Sequence, residues 1–246
     1  MIYNNKYLSP ENYNLKNQTS SKIRNKKTFT EIEQLKYLIK KKNPIILDIG
    51  SNYGQSIIKY QKCFPYSLIH AFEPNKKIAH FLIKKFSFNK KIIINNMAID
   101  LKNGSKKFYF SNIHSGLSGF NRINKNSLDS INNLKKLKKI DTSSKVKTIN
   151  AKSYINKSKI KKIDLVKIDT QGYVDNILKS FFNKLKITEH IIIEVKFYDL
   201  FKKNNSFGKI EKILDKYNFK IYDIIFISKN PKKYRTDWVD VLYKRY

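Results

Sequence analysis

The sequence predicts an α/β fold, a mostly parallel sheet with helices packed on both faces. Three observations carry that expectation. Short apolar runs recur along the chain, and most are followed by a segment of helical spacing, the order of parallel strands joined by crossover helices. Residues Pro44 to Glu73 condense this order into one βαβ unit of roughly thirty residues. In it, Ile45-Ile46-Leu47 runs into Asp48-Ile49-Gly50-Ser51-Asn52-Tyr53-Gly54, and Ser67–Phe72 runs into Glu73-Pro74. A further apolar run, Ile163–Ile168, ends in Asp169-Thr170-Gln171-Gly172. Ligands of such sheets lie at the carboxyl ends of the strands, so the residues there are the first functional candidates.

Taken in order, residues 1–28 are polar, rich in Asn, Lys and Ser, and without periodicity, as expected of a loosely ordered arm. Thr28 or Thr30 is placed to cap a helix running to Lys41, with Ile32, Leu35, Leu38 and Ile39 at helical spacing. Pro44 stops it before the first strand. The next helix is expected over 54–62, with Ile57 and Ile58 toward the sheet. Pro74 starts another, in which Ile78, Phe81, Leu82 and Lys85 share a face. Residues 91–95 read as a third strand, Asn103-Gly104 as a turn, and 107–111 as one strand of a hairpin. Residues 112–145 are expected to be an irregular insertion, a lid or binding segment. A strand over 146–149, a short helix over 151–157 and the run 163–168 follow. Then come a helix over 174–182, a strand over 190–195, a helix over 206–218 and strands over 219–227 and 237–243.

The βαβ unit suggests a nucleoside-containing ligand. Gly50 and Gly54 carry no Cβ, which permits a sharp turn and a close approach by a ligand. The N–H groups at the start of the following helix are expected to face that ligand. Glu73, at the end of the second strand, is placed to accept hydrogen bonds from both hydroxyls of a ribose. The pattern lacks the third glycine of a dinucleotide turn, and Asp48 ahead of Gly50 would repel a pyrophosphate. Asp48 suits a cationic ammonium instead, which favours S-adenosylmethionine (SAM) over NAD.

Composition bounds the rest. The chain has 246 residues, a formal net charge of +32 and one cysteine, Cys63, which excludes an internal disulfide and a cysteine-based zinc cluster. No apolar run has the length of a membrane span, and the N-terminus lacks the apolar segment of a signal peptide, so a cytoplasmic protein is expected. Of 51 basic residues only Arg24, Arg122, Arg235 and Arg245 are arginine. Lysines scattered among Asn and Ile read first as a solvated surface, although a nucleic acid, a nucleotide-sugar or a lipid surface would also be attracted.

With these segments placed, the chain resembles the FkbM family of SAM-dependent methyltransferases. The resemblance rests on residues 47–54, on Ala71-Phe72-Glu73-Pro74, on Asn96-Met97-Ala98, on Val146-Lys147-Thr148-Ile149, on residues 164–173 and on Glu194. It implies a Rossmann-like class I methyltransferase fold, with a seven-stranded sheet whose last strand is antiparallel. It also implies a catalytic domain over 44–246, with 1–43 as an N-terminal arm and leading helix, and methylation of a hydroxyl on a sugar or other small molecule. The chain departs from the family at Gln171, where Glu is frequent, at Val174, where a second Glu is common, and at Asn150, where an Asp usually ends the motif.

The expected cofactor residues are therefore Asp48, Gly50, Ser51, Asn52, Tyr53, Gly54, Glu73, Pro74, Asn96, Met97 and Ala98. The expected catalytic residues are Asp169 and Glu194 at neighbouring strand ends, with His114 in the insertion as an alternative base near neutral pH. No metal is expected. The acceptor is a saccharide, glycan or small molecule, with RNA methylation on the lysine surface or non-catalytic SAM binding as rivals.

Overall fold

A computed structural model describes residues 29–111, 115–122, 141–197, 206–230 and 234–246. Helix α1 (Glu31–Leu38) opens on Thr30, whose side chain accepts from the Glu33 N–H while the Glu33 carboxylate accepts from the Thr30 N–H. This reciprocal capping satisfies two donors that would otherwise be unpaired at the helix start. The helix ends before Lys41, because Ile39 is already extended.

The main sheet has seven strands in the order β3-β2-β1-β7-β8-β10-β9. They are β1 (Ile45–Ile49), β2 (Leu68–Phe72), β3 (Ile92–Asn95), β7 (Ile163–Ile168), β8 (Thr188–Lys196), β9 (Phe219–Asn230) and β10 (Arg235–Arg245). The first five pair in parallel, and β10 runs antiparallel to both neighbours. The strand order reverses between β1 and β7, so their carboxyl ends open the crevice where such sheets take ligands.

Helices α2 (Gln55–Cys63), α3 (Lys76–Lys85), α4 (Ala151–Lys157), α5 (Val174–Ser180) and α6 (Phe207–Asp215) connect the strands. Two apolar clusters show the layers. Ile46, Ile69, Leu165 and Ile192 bury one face of the sheet beneath Leu35 of α1, Ile57 of α2 and Leu82 of α3. Leu47, Val166, Ile168 and Ile193 bury the other beneath Ile155, Ile177 and Ile210. Alternate residues of each strand thus feed opposite layers.

Between β3 and α4 the chain builds a second, three-stranded sheet, β4 (Ala98–Ile99), β6 (Asp141–Ile149) and β5 (Gly104–Ser111), in the order β4-β6-β5. This corrects the expectation of an irregular stretch over 112–145 where the structure describes it; residues 112–114 and 123–140 lie outside the described residues. Residues 141–145 belong to β6, and Tyr109 of β5 exchanges two backbone hydrogen bonds of 2.9 Å with Gly119. The 3-10 turn Phe182–Ile187 was likewise not expected. His114 lies outside the described residues.

Candidate functional site: the crevice between β1, β2 and β7

The turn after β1 is built by the protein's own hydrogen bonds. The Gly50 and Ser51 N–H groups both donate to the Phe72 carbonyl at 3.1 Å, and Gly54 N–H donates to Ser51 O at 2.8 Å. Asn52 N–H donates to the Glu73 carboxylate at 3.0 Å. These N–H groups are used internally, so the turn offers shape more than the donors expected of it. Gly50, Asn52 and Gly54 all have positive φ, at 89°, 44° and 85°.

Gly50 is required for a different reason from the one its sequence suggests. A Cβ there would lie 2.1 Å from the backbone oxygen of Asp169. The missing side chain admits the neighbouring strand end, so β1 and β7 close against each other at the reversal point. Gly54 similarly admits α3, since its Cβ would meet Leu82 Cδ2 at 2.9 Å.

Glu73 is 7 % exposed and lines the crevice, with its oxygens accepting from the Asn52 and Asn75 N–H groups at 3.0 and 2.8 Å. Burial, reinforced by Asp48, pushes its carboxyl up to about 7, against the lowering effect of those two hydrogen bonds. Asn96 donates to the Glu73 and Pro74 carbonyls at 3.0 and 3.2 Å, and so holds the acidic turn from behind.

The expected cofactor residues divide between wall and support. Gly50, Asn52, Glu73, Pro74 and Ala98 line the crevice. Asp48 does not; it is fully buried beneath the turn, where one carboxylate oxygen accepts from Ser56 Oγ at 2.5 Å. Burial raises its carboxyl, and Lys167, its register partner on β7, opposes the rise. Asp48 therefore does not line the crevice, and its Oδ1 is buried without a hydrogen-bond partner; its expected contact with the ligand's ammonium, directly or through water, stays an expectation. Ser51 is also internal, its hydroxyl donating to Asp48 O at 2.9 Å. Tyr53 packs edge-on against Phe81 at 5.7 Å, and Met97 packs against the core.

On the β7 side, Asp169 lines the crevice with its side chain 36 % exposed, and Lys167 Nζ lies 2.9 Å from its Oδ2. Burial favours the neutral acid, but the Lys167 ammonium outweighs it and holds Asp169 below the ordinary carboxylate range. Glu194 sits one strand over, not on the crevice wall, and pairs with Lys196 at 3.1 Å. Burial, with Asp169 as the next contributor, pushes its carboxyl up to about 7. Lys196 also donates to Gln171 Oε1 at 2.5 Å. Gln171 is therefore an uncharged partner of that lysine, and Val174 is simply core, at 2 % exposure.

Two functional candidates escaped sequence reasoning. Asp240 on β10 stands in register with Glu194, and burial and Asp169 push its carboxyl up to about 6. An acid inside the apolar run Trp238-Val239-Asp240-Val241-Leu242 was the available signal. Asp100 accepts from the Tyr173 hydroxyl at 2.6 Å and from Lys106 at 3.1 Å, tying the small sheet to the loop after β7. Its contacts span 73 residues of sequence, which no local pattern reveals. Among the described residues no cluster of three His, Cys, Asp or Glu side chains is arranged to hold a metal ion.

The crevice fits an adenosyl cofactor on three structural grounds. Its wall contains a buried carboxylate, Glu73, at the end of β2. The buried Asn52 Oδ1 and Thr170 Oγ1 have no hydrogen-bond partner, leaving polar atoms for a ligand to satisfy. Ile78, Ile99 and Phe120 supply an apolar boundary suited to a flat base.

Comparison with known proteins agrees with this geometry. No curated protein sequence matches the chain significantly. Among solved structures, methyltransferase FkbM from Methylobacillus flagellatus KT superposes with a TM-score of 0.51 at 11 % identity, over 82 % of this chain and 44 % of that one. TrmK of M. capricolum, solved with S-adenosyl-homocysteine, gives 0.47 at 15 % identity over 89 % of this chain and 69 % of that one. Streptococcus pneumoniae Sp1610, a putative tRNA (m1A22) methyltransferase, gives 0.48 at 12 % identity over 89 % and 71 %. At such identities the likeness to the M. flagellatus protein speaks for the fold alone. The family model for the methyltransferase FkbM domain matches residues 48–221, well over half of the sequence, and covers both the Gly50 turn and the Asp169 strand end. The chain belongs to the FkbM methyltransferase family, whose cofactor is S-adenosylmethionine.

Proposed function

We propose that the protein transfers a methyl group from SAM to a hydroxyl of a saccharide, glycan or other small molecule. The catalytic unit in this reading spans 44–246, with 1–43 as arm and leading helix, in the cytoplasm, where the buried thiol of Cys63 would stay reduced. The observation that carries it is Asp169. It is a partly exposed carboxylate held in its charged form by Lys167, on the wall shared with the Gly50 turn and Glu73.

SAM, when bound, supplies an already electrophilic methyl group, so the protein's contribution is mainly positioning and proton handling. Glu73 would hold the ribose, Gly50 and Asn52 the adjoining part of the cofactor, and Pro74 and Ile99 the base. Asp169 accepts the hydrogen bond of the acceptor hydroxyl and orients its oxygen. That proton becomes strongly acidic as the oxygen forms its new bond to carbon, so even a carboxylate of lowered basicity suffices to take it. Glu194 and Lys196 set the field behind Asp169. The segment Ser115–Phe120 closes the other side of the crevice and reduces access of water.

A second reading, methylation of RNA, is favoured by the net charge of +32. It predicts binding to nonspecific RNA that falls steeply with salt. The deciding experiment incubates the protein with labelled SAM and extracted host glycans, small hydroxylated molecules and RNA in parallel. Gain of one methyl group on a hydroxyl in the small-molecule or glycan fraction is the expected result. Labelling of RNA alone, or cofactor binding without turnover on any fraction, would overturn it.

A further inference from the structure

A second depression lies on the sheet face covered by α4 and shares no lining residue with the crevice of the cofactor. It exists because α4 is only seven residues long. Tyr154 reaches down from α4 to stack edge-on against Phe72 at 4.6 Å, and beyond it the face of β2 and β3 stays uncovered. The resulting groove measures about 760 Å3, in the range of small-ligand sites.

Its chemistry is divided. The floor is apolar, formed by Leu68, Ile93, Met97 and Ile149, with Ile93 38 % exposed. The rim carries Lys41, Lys157, Lys159, Lys161 and Lys162, and no acid lines the groove among the described residues. Lys41 and Lys162 are paired, with Asp164 and Glu189. Lys157, Lys159 and Lys161 have no acidic partner among the described residues and lie within five positions of one another, on the turn between α4 and β7.

The floor holds one polar anomaly. His70, 3 % exposed, is bound through Nδ1 to the Tyr154 hydroxyl at 2.7 Å, while its Nε2 is buried without any partner. A buried polar atom left unmade in a pocket floor calls for a group that meets it. An alkyl chain would cover Nε2 without pairing it, and a sugar would leave its hydroxyls against Ile93 and Met97. A flat heterocycle with hydrogen-bonding edges satisfies both, and three unpaired ammonium groups match the charge of a diphosphate.

We propose that this groove binds a nucleoside diphosphate, or a ligand containing one, with its phosphates on Lys157, Lys159 and Lys161 and its base over Ile93 and Met97, one polar edge meeting His70 Nε2. The site is separate from the methyl-transfer crevice and does not depend on the function proposed for it.

The test is calorimetry of UDP, uridine and inorganic pyrophosphate with the full chain, each run with S-adenosyl-homocysteine at saturation. That ligand keeps the cofactor crevice filled, and its own affinity, measured separately, reports on the methyltransferase reading. UDP is expected to bind more tightly than pyrophosphate. Lys157→Gln, Lys159→Gln and Lys161→Gln together should weaken UDP by about tenfold or more, the loss of several charge-assisted hydrogen bonds. A control with equal charge loss, Lys209→Gln and Lys212→Gln on α6 with Lys216→Gln at its C-cap, should change it by less than about twofold, as expected of screened distant charges. His70→Phe should weaken UDP and leave pyrophosphate unaffected, with its melting temperature recorded to verify folding. Equal losses in the two triple variants would reduce the groove to diffuse surface charge. Pyrophosphate binding as tightly as UDP, or no UDP binding, would equally overturn the proposal.

Discussion

Replacing Asp169 by Asn separates its chemical role from its structural one. Asparagine preserves shape and a hydrogen-bond acceptor but removes the negative charge 2.9 Å from Lys167 Nζ. That lysine is 14 % exposed, and its ammonium, disfavoured by burial, is kept charged mainly by Asp169 and then by Asp48. Leaving a buried charge without its partner costs about 3–5 kcal/mol in fully enclosed sites. Here Asp169 is 36 % exposed, and Asp48 still faces Lys167 across β1 and β7. With those discounts the expected loss is about 1–2 kcal/mol. For a chain of this size that is a fall in melting temperature of about 2–8 °C. Turnover should fall further, by about 10²-fold per folded molecule, as for loss of a general base or acceptor-orienting carboxylate. Affinity for S-adenosyl-homocysteine should change little, because the ribose contacts assigned to Glu73 remain. Melting temperature, affinity and initial rate measured on the same preparation decide it. A lowered melting temperature with normal turnover per folded molecule would make Asp169 only a counter-ion for Lys167 and remove it from the mechanism.

Gly50→Ala places a methyl group 2.1 Å from a backbone oxygen at a φ of 89°, so it should destabilise the fold by more than about 4 kcal/mol and impair soluble expression; an alanine variant of near-normal melting temperature would refute the packing argument. Glu73→Gln sets an amide donor against one of two backbone N–H groups and removes the charge, so cofactor affinity should weaken by about 1.5–3 kcal/mol in calorimetry. Because the Glu73 carboxyl titrates near 7 in the free protein, cofactor affinity in the wild type should fall as pH drops through that value, and the Gln variant should lose this dependence. Stability runs the other way: Glu73, Glu194 and Asp240 are all raised in the fold, so the native state binds more protons than the unfolded chain between the ordinary carboxylate range and about 7. The free protein should accordingly melt at a higher temperature near pH 6 than near pH 8, with the buried neutral His70 and His190 opposing this in part, and a rise in melting temperature over that interval instead would contradict the dominance of these acids.

The fold was legible wherever a local period carried it. Apolar runs such as Ile45–Ile49 and Ile163–Ile168 announce strands buried on both faces, and Thr30 with Glu33 announces a helix start. The crevice wall beside β1 was legible for the same reason, since Gly50, Asn52 and Glu73 belong to one continuous βαβ unit. What stayed hidden depends on contacts between distant segments. The small sheet pairs Gly104–Ser111 with Asp141–Ile149 across a stretch whose composition reads as loop. The need for glycine at position 50 comes from a carbonyl 119 residues later in the chain, so sequence suggested a ligand where the structure places Asp169. Asp48 is a related case. Its acidity is visible in the sequence, but its direction is set by Ser56 on the following helix and by Lys167 on the neighbouring strand.

The departure at Gln171 then follows from the charges around it. Four acids gather around Lys167 and Lys196: Asp48 on β1, Asp169 just after β7, Glu194 on β8 and Asp240 midway along β10. The acids already outnumber those lysines; burial chiefly lifts Glu194 and Asp240, and the charge of Asp169 adds to it. A glutamate at 171 would add a further negative charge beside Lys196, which already holds Glu194 at 3.1 Å. Glutamine gives that lysine a second acceptor at 2.5 Å and adds no charge. Lys196 can then stay bound to both strand ends while Asp169, nearer the crevice, keeps its own lysine and its negative charge. The substitution, which the sequence shows only as a departure from a frequent Glu, is in the fold compatible with a charged Asp169, because it limits the repulsion that would otherwise favour protonating the row.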